Sequence, residues 1–350
     1  MRRHVLPLLV FVIALLLARQ LYPYVSGGEP TVVDGFTVQE VATGLGGPTC
    51  LVWQDAETLL VCDRDAGHIV ALNLTTDGRH SVVTGLDRPH GLALDGTKAY
   101  VSEAGTLSRY NVDAQGEFND RTVLVDGIPS KNHQTNAVTV LPNGTLLWHS
   151  GSTCNVCDEP DERNAALLWV NATTGEHGVL ASGVRNSFDG VWVGGHGYFF
   201  TDNGRDWEGD HPPEELNFLK EGAAYGWPDD DPDHPVPEGT EAPIGTWTPH
   251  TSVNGLDVRP AGSLLPGLDP DQGFTLYATV YGSWNTVLPQ GHEILRIDVI
   301  PQADGSYLTD ISRFAWDAGT PLPLVFHDDG TLYYATFGNG GSLYTITPDR

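Results

Sequence analysis

The sequence predicts an all-β fold, a six-bladed β-propeller made of four-stranded antiparallel blades. The chain has 41 glycines and 24 prolines among 350 residues, which favours many short elements joined by turns. Short segments alternate apolar and polar residues between Gly, Asp or Asn turns, as strands do. A glycine followed by an aliphatic residue recurs at intervals of 41, 42 and 56 residues, close to the length of a propeller blade.

The repeat also predicts the number of blades and their closure. Four strands in about 40 residues are typical of one blade, and about 310 residues follow the N-terminal leader, enough for six. We expect the last strand, residues 342–347, to complete a blade begun by the first, residues 37–42, because closure removes free sheet edges. The repeated pairs are Gly44-Leu45, Gly85-Leu86, Gly127-Ile128 and Gly183-Val184.

The chain divides into a leader and one large domain. Residues 1–26 have the composition of an export signal or an N-terminal membrane anchor: Arg2 and Arg3 precede an apolar run over residues 5–18. The start fits a Sec or twin-arginine type signal, and cleavage and tethering both stay open. Either predicts an extracellular or cell-surface protein. Residues 35–350 are predicted to form a single propeller with an acidic insertion at about 206–251.

The charge of the chain excludes some partners. With 45 acidic and 18 basic residues, the formal net charge is −27. Such a surface repels nucleic acid and anionic membranes, so we expect no nucleic-acid partner. High salt screens self-repulsion, and the composition therefore predicts a halophilic source, with an acidic secreted protein from an ordinary habitat as the alternative. The oligomeric state stays unknown at this stage.

Four cysteines in an exported chain predict disulfides. Cys50 and Cys62 lie symmetrically about Ala56, so a hairpin centred there places them opposite each other. Cys154 and Cys157 form a C-x-x-C loop. No histidine follows it, which excludes haem attachment, and no second C-x-x-C or nearby histidine pair supports zinc. A structural loop disulfide is the prediction for this pair, and free thiols are the alternative.

Three polar motifs lie between residues 183 and 228: Arg185-Asn186, Asn203-Gly204-Arg205 and Tyr225-Gly226-Trp227-Pro228. A guanidinium group suits a carboxylate or another pair of oxygen acceptors, and a neighbouring asparagine can bond the same ligand. The alternative for the arginine is a structural role between neighbouring blades. His133 stands in a polar loop before a predicted strand, where it is either a loop histidine or a general base with a suitable pKa.

The order and spacing of these motifs over residues 35–347 resemble the soluble quinoprotein glucose and sorbosone dehydrogenase family. Gly282-Ser283-Trp284-Asn285 and the segment from His250 to Leu256 extend the resemblance. It implies a six-bladed propeller that uses pyrroloquinoline quinone (PQQ) to oxidise CH–OH groups of sugars. It also implies calcium, a small sugar substrate and a membrane-linked electron acceptor.

The resemblance carries roles to particular residues. His133 would be the base that takes the proton of the sugar C1 hydroxyl while hydride goes to the quinone. The backbone carbonyls of Gly204 and Arg205 would bind the calcium at the cofactor. Glu215, the Tyr225 carbonyl and Asp230 would form a second, structural calcium site, with Glu214 and Asp231 as further candidates. The residues expected to contact the cofactor are Lys131, Arg185, Asn186, Asn203 and Arg205.

Two positions depart from the family pattern. Thr286 and Thr320 stand where arginines are expected. PQQ carries three carboxylates, and burying them without cationic partners is costly. The departures therefore predict weaker quinone affinity, or a different or lost cofactor.

Two other functions stay open from the sequence. A non-catalytic propeller that has lost the quinone site would bind a glycan or a protein, since a fold does not determine a function. A calcium-dependent lactonase or phosphoesterase would hold calcium in the channel with side chains from several blades. Candidates for that set are Asn136, Asn186, Asn203, Asn254, Asp189 and Asp257.

Overall fold

The computed structural model describes residues 10–17, 30–209, 211–283, 285–286, 289–338 and 340–349. Within these ranges, residues 10–17 form an exposed helix, α1, and 25 strands make up the other regular elements. No helix among the described residues is long and apolar enough to cross a membrane. Most of the predicted export signal or anchor, residues 1–26, lies outside the described residues, so that assignment stays a prediction.

The first half of the chain forms three blades. Two strands come before them, β1 (Thr31–Val32) and β2 (Phe36–Thr43). Blade 1 consists of β3 (Pro48–Trp53), β4 (Thr58–Asp63), β5 (His68–Asn73) and β6 (Gly78–Thr84). Blade 2 consists of β7 (Gly91–Asp95), β8 (Lys98–Glu103), β9 (Thr106–Val112) and β10 (Phe118–Val125). Blade 3 consists of β11 (Thr135–Val140), β12 (Thr145–Ser150), β13 (Ala166–Asn171) and β14 (His177–Ser182).

The second half forms three more, which confirms the predicted six-bladed propeller. Blade 4 consists of β15 (Gly190–Val193), β16 (Gly197–Asp202), β17 (Glu214–Phe218) and β18 (Gly245–Trp247). Blade 5 consists of β19 (Val253–Val258), β20 (Phe274–Val280), β21 (Glu293–Pro301) and β22 (Tyr307–Trp316), with β1 added at its outer edge. Blade 6 consists of β23 (Pro321–Phe326), β24 (Leu332–Thr336), β25 (Ser342–Pro348) and β2.

The two ends of the domain close the ring. Strand β2 pairs antiparallel with β25, and Thr37 lies opposite Thr347. The first strand of the domain thus supplies the outermost strand of the last blade, as the sequence predicts. The pairing also covers an edge of β25 that would otherwise carry unpaired backbone groups.

The structure corrects part of the predicted insertion. Residues 206–251 are not one surface excursion, because β17 and β18 within them are the third and fourth strands of blade 4. The described residues of this segment that lie outside β16–β18 are 206–209, 211–213, 219–244 and 248–251, and residues 219–244 contain the acidic, proline-rich stretch. The pattern hides these strands because β17 begins with two glutamates and β18 is three residues long.

The innermost strands of the six blades surround an axial channel of about 180 Å³. They approach one another so closely that some positions require glycine. A Cβ on Gly91 of blade 2 would lie 2.4 Å from the Asn136 carbonyl oxygen of blade 3. A Cβ on Gly255 of blade 5 would lie 2.8 Å from the Leu322 carbonyl oxygen of blade 6. These contacts hold the blades in the arrangement that brings their end loops together.

Two buried carboxylates also join inner strands. Asp189 accepts hydrogen bonds from the N–H of the following residue (2.8 Å) and from the Leu256 N–H of blade 5 (3.2 Å). Asp257 accepts from the N–H of the following residue (2.8 Å) and from the Phe326 N–H of blade 6 (2.7 Å). Each carboxylate oxygen therefore has a backbone donor, and each pair stabilises a junction between blades.

Candidate active site

A cavity of about 290 Å³ opens where loops of blades 3, 4 and 5 meet, near the lower end of the usual volume of small-molecule sites. The lining residues lie before the inner strands β11, β15 and β19, just after the second strand β16, and at the start of the third strand β17. In antiparallel blades these points lie at the same end of the sheet. The cavity is lined by Asn132, His133, Arg185, Asn186, Asn203, Gly204, Asp206, Glu214, His250 and Ser252.

His133 lies just before β11, on the blade 3 side of the cavity. Its Nδ1 is 2.8 Å from Ser152 Oγ. Nε2 has no hydrogen-bond partner within the described part of the chain. Burial, followed by the charge of Arg185, lowers the pKa of His133 to about 3. The ring is therefore neutral over the ordinary pH range and has a lone pair available for a proton.

Arg185 lies on the cavity wall and is largely engaged by protein groups. Its guanidinium donates to the carbonyl oxygen (3.2 Å) and Oδ1 (2.8 Å) of Asn155, and to the Asn203 carbonyl oxygen (3.2 Å). Nη2 also pairs with Asp206 at 3.0 Å. Burial lowers its pKa, against the opposing charges of Asp206 and other acids. Among contacts within the described residues, one Nη1 hydrogen remains for a ligand.

Asp202, at the end of β16, explains why the Arg-Asn dipeptide has its position. Its carboxylate accepts the backbone N–H groups of Arg185 (2.9 Å), Asn186 (2.7 Å) and Asn203 (2.9 Å). Burial raises the pKa of Asp202 to about 7 although these donors and Arg185 lower it. One buried side chain thus fixes the backbone of two cavity-lining segments.

Two oxygen atoms of cavity-lining residues accept no hydrogen bond from the described residues. Asn203 Nδ2 donates to the carbonyl oxygens of Asn186 (3.0 Å) and Val253 (2.8 Å). Asn203 Oδ1 and Glu214 Oε2 are buried and have no hydrogen-bond partner within the described ranges. Burial raises the pKa of Glu214 to about 7, although the Ser252 N–H at 2.9 Å lowers it. A buried acceptor without a partner costs about 1–3 kcal/mol, so a cation or donor ligand is expected here.

A family model described as TrAA12-like matches residues 30–231. The match spans more than half of the chain. The chain belongs to the TrAA12-like family. An uncharacterized protein of Borreliella burgdorferi is 26% identical over 303 residues, which cover 74% of this chain and 76% of that protein.

Solved structures share the fold of this TrAA12-like chain. The holo form of the pyranose dehydrogenase PQQ domain of Coprinopsis cinerea superposes with a TM-score of 0.76 at 19% identity, covering 91% of this chain and 97% of that one. The calcium structure of the AA12 enzyme of Trichoderma reesei gives 0.75 at 20% identity, covering 91% and 97%. The PQQ-bound aldose sugar dehydrogenase of Streptomyces coelicolor gives 0.69 at 18% identity, covering 91% and 100%. The family and fold implied by the sequence resemblance are confirmed.

The structure brings part of the predicted cofactor set to the cavity of this TrAA12-like propeller. His133, Arg185, Asn186 and Asn203 line it together. Lys131 is exposed and does not line it.

Arg205 is also placed elsewhere. Its guanidinium turns to Glu208 (3.3 Å), the Pro228 carbonyl oxygen (3.1 Å) and Asp230 (3.6 Å). It therefore stabilises the acidic loops of blade 4. The carboxylates of Glu208 and Asp230 hold this buried guanidinium away from the cavity, and sequence spacing alone does not show this.

The predicted calcium positions have a mixed geometry. Gly204 lines the cavity and packs so closely on Pro212 that a Cβ would lie 2.4 Å from its ring. Glu215 is buried, which raises its pKa to about 8, and Tyr225 is 6% exposed. Asp230 faces Arg205 and has a pKa raised to about 6 by burial. A structural calcium there stays a prediction.

Among the described residues, three His, Cys, Asp or Glu ligand atoms converge within 4.8 Å at Cys154, Cys157 and Glu159. Both sulfurs are bonded to each other, so this is not a metal site. Cys50 and Cys62 are also bonded, and they lie opposite each other on β3 and β4. Both predicted disulfides are thus present in the structure.

The two threonines that stand in place of the expected arginines form hydrogen bonds within the protein. Thr320 Oγ1 donates to the Phe337 carbonyl oxygen, and the hydroxyls of Thr286 and Ser283 bond each other. Asn285 reaches the cavity wall, with Nδ2 3.4 Å from Asp206 Oδ1. Trp284, quoted with the Gly-Ser-Trp-Asn motif, lies outside the described residues.

Sequence reasoning missed two residues beside the cavity. Ser152 contacts the ring of His133, and Asn155 contacts both Arg185 and Asp206. Both lie in or next to the C-x-x-C loop, which the sequence suggested was only a structural crosslink. The sequence offered one signal for their role: the C-x-x-C loop directly follows β12, in the same blade as His133.

Proposed function

We propose that the chain is an exported, PQQ-dependent sugar dehydrogenase that oxidises the C1 hydroxyl of aldoses or related sugars. The observation that carries the proposal is the placement of His133 in a polar cavity beside Arg185 and Asn186, with Nε2 left unpaired by the described residues. Membership of the TrAA12-like family supports it, as do the names of the solved relatives.

The cavity fits calcium directly. Asn203 Oδ1 and Glu214 Oε2 are buried oxygens without partners among the described residues, Asp206 lines the same cavity, and calcium prefers oxygen ligands of this kind. The backbone of Gly204 borders the same wall. These groups would hold the ion, and their unmatched negative charge would be neutralised by it.

The residues of the cavity fit the quinone when calcium is bound beside it. Among the described residues that line the cavity, Arg185 is the one arginine or lysine, and most of its donors are engaged. Three carboxylates need more positive charge than this. A divalent cation at the acidic wall supplies that charge. Arg185, Asn186 and Asn203 would contact the quinone.

The residues of the chain have defined tasks in this reaction. Bound PQQ supplies the acceptor for the hydride from sugar C1. His133 accepts the C1 hydroxyl proton at Nε2, for which a neutral ring is required. The pKa of about 3 reflects burial and Arg185, and the negative charge of a bound polycarboxylate would raise it towards working pH. Asp202 keeps Arg185 and Asn186 in position.

Export and electron transfer belong to the same proposal. The composition of residues 1–26 supports secretion or tethering at the cell surface. A tethered enzyme lies next to the membrane, where a membrane-linked acceptor would take the electrons from the reduced cofactor.

The test is reconstitution of the full chain. Purified protein, stripped of metal, is titrated with PQQ with and without calcium at low and high salt, and dye reduction is followed with a panel of aldoses. We expect saturable PQQ binding that requires calcium, and turnover with at least one aldose. Binding that is as tight without calcium contradicts the calcium–quinone fit. Absence of binding in every condition contradicts the dehydrogenase and favours a ligand-binding propeller.

A further inference from the structure

The loop from Ser152 to Glu159 lies against the cavity and contains the Cys154–Cys157 disulfide. It contributes no residue to the cavity lining. It nevertheless contacts the base on one side and the Arg185–Asp206 pair on the other. One short crosslinked loop therefore supports both halves of the site.

The first contact determines which nitrogen of His133 carries the proton. Ser152 Oγ donates to the Cys154 carbonyl oxygen at 2.8 Å, and it lies 2.8 Å from His133 Nδ1. A hydroxyl has one hydrogen, so an oxygen that donates to the carbonyl must accept from the ring. Nδ1 is then the protonated nitrogen, and Nε2 keeps its lone pair. Ser152 is fully buried, so bulk water does not compete for its hydroxyl.

The second contact fixes the charged pair. Asn155 Oδ1 accepts from Arg185 Nη2 (2.8 Å) and from the Asp206 N–H (2.8 Å). The Asn155 carbonyl oxygen accepts from Arg185 Nε (3.2 Å) and from Trp227 Nε1 (3.0 Å). A single residue thus sets the position of the guanidinium and of the loop that carries Asp206.

The loop itself is held at several points. Glu159 accepts the N–H (2.7 Å) and the hydroxyl (2.8 Å) of Thr153 through its two oxygens. The disulfide joins Cys154 to Cys157 across a separation of three residues. These constraints limit the positions of the Cys154 carbonyl and of Asn155, the two groups on which the contacts above depend.

We infer that this loop is the positioning element of the active site, with Ser152 setting the tautomer of His133 and Asn155 setting the Arg185–Asp206 pair. The kinetic consequences rest on the proposed function, whereas the tautomer does not. Ser152 and Asn155 act through other residues and touch neither substrate nor cofactor in this account. Supporting groups of this kind typically change activity or ligand affinity about 10- to 100-fold.

The first experiment measures the tautomer without any cofactor. Full-length protein labelled with ¹⁵N-histidine is examined by long-range ¹H–¹⁵N correlation at pH 8, and the His133 signal is assigned with His133→Gln. We expect the Nδ1–H form in the wild type and a mixture of the two tautomers in Ser152→Ala. An unchanged tautomer in Ser152→Ala, or an Nε2–H form in the wild type, overturns the inference for the base.

The second experiment separates the two contacts by kinetics and binding. In reconstituted enzyme, Ser152→Ala should lower kcat about tenfold and leave PQQ affinity within twofold. Asn155→Ala should weaken calcium-dependent PQQ binding about tenfold or more while the His133 tautomer stays unchanged. Equal effects of the two variants on kcat and affinity would contradict separate positioning roles.

If the wild type shows no turnover with any sugar, the proposed function fails, and the tautomer result still decides the role of Ser152.

The two disulfides provide a matched control. Cys154→Ala/Cys157→Ala should mix the His133 tautomers and lower kcat, with little change in melting temperature, because it opens a four-residue ring at the surface. Cys50→Ala/Cys62→Ala removes a buried crosslink within blade 1, so it should lower the melting temperature and leave the tautomer and kcat unchanged. A change of tautomer in the blade 1 variant alone would overturn the inference.

Discussion

His149 in blade 3 is fully buried and His133 at the cavity is half-buried, and burial lowers the pKa of each to about 3. They differ in how their ring nitrogens are satisfied. His149 has Ser187 Oγ 2.8 Å from Nδ1 and Tyr198 OH 2.8 Å from Nε2. His133 has Ser152 at Nδ1 only, as far as the described residues go. The pKa alone therefore does not identify the reactive histidine; an Nε2 left unpaired by the described residues, on the wall of the polar cavity, distinguishes His133 from His149.

Buried acids differ in the same way. Asp189 and Asp257 in the axial channel have pKa values raised by burial to about 7 and about 6, and each of their oxygens accepts a backbone N–H. Glu214 at the cavity has a pKa of about 7 for the same reason, but its Oε2 has no partner in the described chain. The two channel acids complete their hydrogen bonds with backbone donors, whereas Glu214 leaves an acceptor for a ligand at the cavity.

The largest predicted effect is the loss of kcat when His133 is replaced. His133→Gln removes the base and should lower kcat of the reconstituted enzyme by about 10²–10⁴-fold, the usual contribution of a general base. PQQ affinity should change little, because the cofactor contacts are on other residues. Steady-state dye reduction and a PQQ titration measure the two quantities.

The matched variant is His149→Gln. It breaks contacts to Ser187 and Tyr198 inside blade 3. We expect a loss of about 1–3 kcal/mol in the free energy of unfolding and near-normal kcat in the folded fraction. If His149→Gln lowers kcat as much as His133→Gln does, the distinction drawn from hydrogen bonding is wrong.

An intermediate effect is predicted for the acids. Glu214→Gln removes a negative charge and an oxygen ligand from the cavity wall, and calcium binding should weaken about tenfold or more. Titration of the metal-free protein with calcium, followed by calorimetry, measures this without the quinone.

Asp189→Asn is the corresponding control in the channel. It should leave calcium affinity at the cavity unchanged and lower only stability, since Asp189 bonds backbone groups of blades 4 and 5. Equal losses of calcium affinity in the two variants would place the ion in the axial channel and argue for the hydrolase alternative.

The repeat made the fold predictable from the sequence. The Gly-aliphatic pairs mark blade boundaries, and the pairing of β2 with β25 follows from closure. Cys50 and Cys62 lie opposite each other because the hairpin between them is symmetric. These features depend on local periodicity, which short-range sequence patterns record directly.

The site was only partly predictable, because its contacts are between segments far apart in the chain. Arg185, Asn186 and Asn203 were found through motif spacing. Asn155 was not, since its role depends on Asp206, 51 residues away. Arg205 was assigned to the cofactor because a motif gives no side-chain direction, and the direction is set by Asp230 across a loop.

A further predicted effect is on the pH dependence of stability in metal-free protein, and it has opposite signs for Asp189 and His149. The pKa of Asp189 is about 7 in the folded state and near the ordinary value of 3.8 in the unfolded state. Between these values the folded state holds the extra proton, so acidification stabilises the protein. His149 titrates near 3 when folded and near 6.5 when unfolded. Between those values the unfolded state holds the extra proton, so acidification destabilises it.

Chemical denaturation of wild type, Asp189→Asn and His149→Gln from pH 8 to pH 4 isolates each contribution. Relative to Asp189→Asn, the wild type should gain stability as pH falls below about 7; relative to His149→Gln, it should lose stability below about 6.5. Each slope should be at most about 1.4 kcal/mol per pH unit. Parallel curves for the three proteins would mean that neither group keeps its shifted pKa in solution. The contrast with the cavity would then rest on hydrogen-bond geometry alone.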